Sequence, residues 1–162
     1  MASAPFDAPP LLRDLAHRYA LAVDSRDAGM LAGLFVSGGT MRGHGQAVPR
    51  YAGAEGFARM IAEVEASFGA TMHNVFNQTY EQAADGTVTG LVTGVASHVL
   101  PGGGNGQGEL TLLDFAMRYH DCYAQEGGAW KFADRQLEVV WVERRQAAPF
   151  SAAMMGRELR GF

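Results

Sequence analysis

Cysteine is almost absent from this 162-residue chain: the single Cys122 allows no intramolecular disulfide and no Cys-rich zinc site. A lone thiol is read as buried and inert. Basic charge is scarce as well. Thirteen Lys and Arg against seventeen Asp and Glu give a formal net charge of −4. With no Lys/Arg-rich run, this argues against nucleic acid or an anionic membrane as partner. No segment approaches the ~20 apolar residues of a membrane span. The first ten residues, MASAPFDAPP, have neither the basic start nor the apolar stretch of a secretory signal. The expectation is a soluble, cytoplasmic protein. Internal repeats and domain linkers are missing too. A single domain over 1–162 is therefore expected, with 1–9 a flexible N-terminus and 146–162 a C-terminal tail. A chain of this length buries about two-thirds of its unfolded surface, enough for a core around an internal cavity.

What is present is helical periodicity followed by strand alternation. Pro9 and Pro10 are placed to start a helix, and Leu12, Leu15, Ala16, Tyr19 and Val23 recur at helical spacing over 11–27. A short second helix is predicted over 28–35. A third spans 54–68, with Phe57, Met60, Ile61 and Val64 as its apolar stripe, Glu55 at its positive end and Gly69 as its stop. Strands follow over 71–83, 87–100, 109–124 and 129–144, with tight turns at 84–86 and 126–128 and a further short strand near 36–43. The segment GGGNGQG at 102–108 leads into no helix and has no Lys-Ser/Thr, so it reads as a flexible hairpin tip, not a phosphate loop. Helices first and long antiparallel strands after is an α+β order. A strongly curved, mainly antiparallel sheet wrapped on three helices would enclose a conical cavity, with Gly90 and Gly94 available for the bending.

Two strand faces single out chemistry. From 133 to 142, alternation puts Arg135, Leu137, Val139 and Trp141 on one side and Asp134, Gln136 and Glu138 on the other. Arg135 then points at the core, where its charge needs a carboxylate, a ligand anion or a wet cavity. A pocket is the economical explanation, and pairing with a core acid or escape past the strand edge is the bland one. His98 shares its face with Val88, Gly90, Val92, Gly94 and Ala96, and so is interior. The opposite face, with Leu91, Val95 and Val99, calls for a cover and predicts self-association.

Over about 11–144 the chain resembles the SnoaL-like, scytalone-dehydratase-like branch of the NTF2-like superfamily. The likeness rests on the helix ending Ala22-Val23-Asp24-Ser25-Arg26-Asp27, the His73-Asn74 pair opening a long strand, His98 late in the next, and Trp130-Lys131-Phe132-Ala133. It implies a cone-shaped NTF2-like fold. Asp24, His73 and His98 fall where scytalone dehydratases keep an aspartate and two histidines. Their two tyrosines do not carry over, because Val23 and Gly43 stand there, and Met117 and Tyr119 replace a pocket Ser and Asn. The bile-acid 7α-dehydratase and hexachlorocyclohexane dehydrochlorinase members of this branch are similar in having a His–Asp dyad at Asp24 and His73 and an arginine at Arg135. The dehydratase adds a tyrosine at Tyr19. Periodicity alone selects differently: on a helical wheel Asp27 lies nearer the apolar stripe than Asp24 does.

The resemblance implies a lyase acting by elimination on a hydrophobic small molecule, without cofactor or metal. His73 is expected to be the base, because imidazole titrates near neutrality. Asp24 would hold its other nitrogen. Arg135 would stabilise developing negative charge, and Tyr19 or His98 would protonate the leaving group. Val23, Met117, Tyr119, Leu137, Val139 and Trp141 are the expected substrate contacts. The apolar tail residues Phe150, Met154, Met155, Leu159 and Phe162 suggest a lid or a subunit boundary, and a homo-oligomer, dimer or trimer, is expected. Three alternatives stay open. One is a ketosteroid-isomerase-like or polyketide-cyclase-like enzyme, and another a non-catalytic binder. The third is a two-His-one-carboxylate iron site at His73, His98 and Asp24, disfavoured because no two histidines lie close together in sequence.

Overall fold

The computed structural model describes residues 3–101 and 109–148. The expected hairpin tip at 102–108 and the tail beyond 148, with its expected lid or boundary role, lie outside the described residues.

Proline starts the first helix as expected: α1 (Pro10–Asp24) has Pro9 at its N-cap with an extended backbone. It ends three residues earlier than its periodicity suggests. The Asp27 N–H bonds the Ala22 carbonyl at 2.9 Å and the Arg26 N–H bonds that of Val23 at 3.2 Å. This is a Schellman turn, with Arg26 in the left-handed region at φ 59°. Asp27 then caps α2 (Ala28–Gly33), accepting the Met30 N–H at 2.8 Å. The wheel's preferred carboxylate is thus committed to a helix cap. The third helix, α3 (Gly53–Ser67), ends at an extended Phe68 and needs no left-handed glycine.

Seven strands form one open sheet in the order β1-β4-β5-β6-β7-β2-β3. These are β1 (Ser3–Pro5), β2 (Phe35–Gly43), β3 (Tyr51–Ala52), β4 (Thr71–Ala83), β5 (Val88–Val99), β6 (Leu110–Glu126) and β7 (Ala129–Ala147). All neighbours are antiparallel except β2 and β7, which run parallel. At the N-terminus, β1 pairs with β4. Phe6 stacks edge-on against Trp130 at 6.2 Å, and Ala8 is buried.

Curvature comes from bulges. On β4 one extra residue lies between Val75 and Gln78, opposite Gly94 and Val92. There the β4 backbone presses so closely that a Cβ at Gly94 would meet the Asn74 carbonyl oxygen at 2.6 Å. On β7, extra residues fall at Ala133 and Val140. The inner face receives Leu12, Leu15, Ala16 and Tyr19 of α1 and Phe57, Met60 and Ile61 of α3. Phe35 joins the layers, with ring centroids 4.1 Å from Phe57 and 5.1 Å from Phe132. The result is an α+β cone with its sheet wrapped on three helices.

Candidate active site

Asp24 is the last residue of α1, and the Schellman turn aims it at the start of β4. Its Oδ1 lies 2.6 Å from His73 Nδ1, and its Oδ2 accepts the His73 backbone N–H at 2.8 Å. The Thr71 hydroxyl donates to Oδ1 at 2.9 Å. Burial works to raise the Asp24 pKa, but the hydrogen bonds from the His73 ring and backbone, its charge and Thr71 outweigh it, leaving the group below its usual range. Asp24 is therefore a carboxylate that only accepts. His73 Nδ1 must carry the hydrogen between them, so in the neutral ring the lone pair is on Nε2.

Arg135 is wholly buried, at 0% exposure. Two β7 bulges decide which of its neighbours share its face. The one at Ala133 puts Phe132 and Arg135 on the inner side together, and the one at Val140 reverses the alternation beyond Val139. The guanidinium is caged by rings: its Cζ lies 3.9 Å from the Tyr119 centroid, 4.2 Å from Tyr19 and 4.5 Å from Phe132. Asp121, cross-strand on β6, is its ion-pair partner, with Oδ1 3.3 Å from Nε. The pair is poorly aligned, because Asp121 Oδ1 and Arg135 Nε and Nη1 make no hydrogen bond among the described residues. Burial pushes Asp121 up to about 6 against the pull of Arg135 and the Tyr123 hydroxyl, which donates to Asp121 Oδ2 at 3.1 Å. The core acid expected as the bland partner of Arg135 thus exists, and it is Asp121. Alternation of Tyr119, Asp121 and Tyr123 on one face was the available signal.

A cavity lined by Tyr19, His73, Met117, Tyr119 and Arg135 lies between α1 and the sheet. Its free volume is about 10 Å³, close to one water. The space beside Gly90 of β5 is taken: a Cβ there would meet the Tyr123 ring at 3.0 Å. Tyr19 donates to Met41 Sδ at 3.5 Å, and burial, partly offset by Arg135, pushes its hydroxyl up to about 12.

Of the six expected substrate contacts, Met117 and Tyr119 line this cavity. Leu137 and Val139 line a wider cleft of about 300 Å³ with Met41, Arg42 and Tyr51, and Val139 is 47% exposed at its rim. Val23 is a core residue outside both linings. Trp141 needs correcting: the Val140 bulge pairs it with Ala116 on the outer face, where it is 63% exposed.

His98 stands beside His73, ring centroids 5.4 Å apart, between Phe68 and Phe115. Nδ1 lies 3.2 Å from the Ala96 carbonyl oxygen. Burial first, and then the His73 charge, push His98 down to about 4, so at neutral pH it is an uncharged ring and not a ready acid. A histidine with a lowered folded-state pKa favours folding above its unfolded value of about 6.5, and this contribution is lost as pH falls toward 4. Melting temperature should therefore drop over that window. His98→Gln, which does not titrate there, should show a shallower drop, and parallel curves would refute the assignment. Among the described residues no group of three His, Cys, Asp or Glu is arranged to hold a metal ion, and Asp24 Oδ1 already faces His73 Nδ1.

Residues 12–136 match the SnoaL-like domain. The chain belongs to this family, a branch of the NTF2-like superfamily. No curated protein matches it. A hexachlorocyclohexane dehydrochlorinase (LinA) type 2 structure superposes with a TM-score of 0.72 at 21% identity, covering 87% of this chain and 90% of that one. The type 3 enzyme from Novosphingobium barchaimii LL02 gives 0.72 at 20% identity, covering 87% and 92%. A candidate scytalone dehydratase from Novosphingobium aromaticivorans DSM 12444 gives 0.65 at 18%, covering 87% and 91%. At such identities the likeness establishes the fold.

Proposed function

We propose that this chain is a cofactor-independent lyase that eliminates water or another small leaving group from a hydrophobic molecule. The observation that supports this best is the 2.6 Å contact of Asp24 with His73 on the wall of a cavity that Arg135 also lines. His73 Nε2 takes a proton next to a carbonyl or leaving group, while Asp24 keeps the tautomer and balances the imidazolium that forms. Arg135 Nη1, buried and without a hydrogen bond, offers its donor to the negative charge that develops, in a site that excludes water. Tyr19, protonated throughout the neutral range, supplies the proton for the departing group. His98, uncharged, stands behind the His73 ring and outside the cavity lining. Two structural neighbours are dehydrochlorinases, which act by elimination, and this agrees with the reading. The small free volume means that substrate enters by displacing side chains. Met41 stands between the inner cavity and the wider cleft, bonded to Tyr19 and lining the cleft, and is the side chain placed to yield.

The test is turnover of hydroxylated or halogenated ring compounds, chosen by thermal-shift screening, in wild type and His73→Ala. Binding without turnover in the wild type would make the chain a cavity binder instead.

Self-association is part of this reading. The outer face exposes Leu91 and Trp141, so light scattering at micromolar concentration should find a dimer or trimer, and Trp141→Lys should shift it toward monomer. A wild-type monomer at that concentration would count against it.

A further inference from the structure

Arg26 holds a left-handed backbone, φ 59°, at the position closing α1 where glycine is the usual residue. For an L-residue this conformation is strained, because its Cβ crowds the following carbonyl oxygen. The turn itself needs no side chain there, because both of its hydrogen bonds are made by backbone atoms. The arginine side chain nonetheless makes three hydrogen bonds. Nη1 donates to the Val23 carbonyl at 2.6 Å and to the Thr71 hydroxyl at 2.7 Å, and Nη2 donates to the Gly69 carbonyl at 2.7 Å. Arginine has no acceptor. Thr71 Oγ1 therefore receives from Arg26, and its own proton is directed to Asp24 Oδ1, 2.9 Å away. Backbone strain beside a reacting group is a pointer to function, and here a donor chain runs from the strained residue to the carboxylate.

We propose that Arg26 and Thr71 are positioning residues: Arg26 orients the Thr71 hydroxyl so that its proton locks the Asp24 carboxylate against His73. This rests on the reading of Asp24 and His73 as the reacting pair, and it identifies what keeps that pair aligned. The groups facing Asp24 are His73 and Thr71, with Arg26 behind Thr71 and His98 behind His73. With Thr71 and the His73 Nδ1–H both on Oδ1 and the His73 backbone N–H on Oδ2, the carboxylate has no freedom to rotate. His73 is then presented in one tautomer and one orientation.

The experiment is a carbon-13 NMR titration of the Asp24 carboxyl in the full chain, with no substrate present. In wild type, Asp24 should stay ionised below the usual aspartate range. Thr71→Val leaves every charge in place and removes one donor. It should raise the Asp24 midpoint by about one pH unit, the scale of one hydrogen bond to a charged group, and Thr71→Ser should restore it. Arg26→Gly relieves the left-handed strain, so it should melt within a few degrees of wild type while raising the same midpoint. A Thr71→Val titration superimposable on wild type overturns the proposal, and so does failure of Thr71→Ser to restore it. If Thr71→Val does not fold, Arg26→Gly decides alone: an unmoved Asp24 midpoint overturns the proposal. None of these readings uses turnover, so failure of the elimination chemistry would show separately, as wild-type-like activity in His73→Ala.

Discussion

Replacing His73 by Ala should reduce turnover by about 10²–10⁴-fold, the usual worth of a positioned general base, with ligand binding nearly unchanged. A base acts on the transition state and hardly on the ground state, so the loss should fall on kcat. Asp24→Asn should also slow the reaction, and by less. The amide can donate as well as accept and so unsettles the tautomer that the carboxylate enforces through Nδ1. Both variants need a melting curve beside the assay, because Asp24 also ties α1 to β4 through the Thr71 hydroxyl and the His73 backbone. A well-folded His73→Ala protein turning over substrate like wild type would make His73 a packing residue. A well-folded variant that loses kcat while binding ligand would support the assignment. The pH profile should reflect this: the Asp24 pKa is depressed, so its hold on His73 Nδ1 is present across the neutral range and is lost only on acidification through its folded-state value.

The architecture could be read from the sequence because it depends on periodicities. The stripe Leu12, Leu15, Ala16, Tyr19 and Val23 did become the buried face of α1, and the small-residue face of β5 did become interior. What escaped depends on single-residue events that no period encodes. Asp24 lies to the side on an ideal wheel, and only the Schellman turn at Arg26, together with the use of Asp27 as a cap, leaves Asp24 to meet β4. Trp141 followed the alternation of Arg135 on paper, but one extra residue at Val140 sent it to the outer face. The edge strands β1 and β3, three and two residues long, are too short to show alternation. Gly90 carries no side chain of its own, and only the cross-strand contact reveals Tyr123 filling the space beside it. Asp121 was visible as an inner-face residue, but naming it as the partner of Arg135 requires the β6–β7 register with both bulges.

Arg135 and Asp121 support the second large effect. Arg135→Met should strand a buried carboxylate and destabilise the fold by about 3–5 kcal/mol, lowering the melting temperature by roughly 10 °C or more in a domain of this size. Asp121→Leu alone should cost as much, because the guanidinium then keeps only its ring cage of Tyr19, Tyr119 and Phe132. The double variant is the informative one. With both charges gone and the volume filled by apolar atoms, stability should return to wild type or exceed it by about 1–4 kcal/mol, since a buried ion pair seldom repays its desolvation. The misaligned geometry, with Asp121 Oδ1 and Arg135 Nε and Nη1 left without hydrogen bonds, makes that recovery more complete. If the pair exists to hold the fold, the recovered double variant should work normally. If Arg135 serves the reaction by offering Nη1 to developing charge, the double variant should melt like wild type and yet lose turnover by about 10²–10³-fold, the scale of one lost oxyanion donor. A stable double variant with undiminished turnover would remove Arg135 from the mechanism and leave the His73–Asp24 pair to act alone.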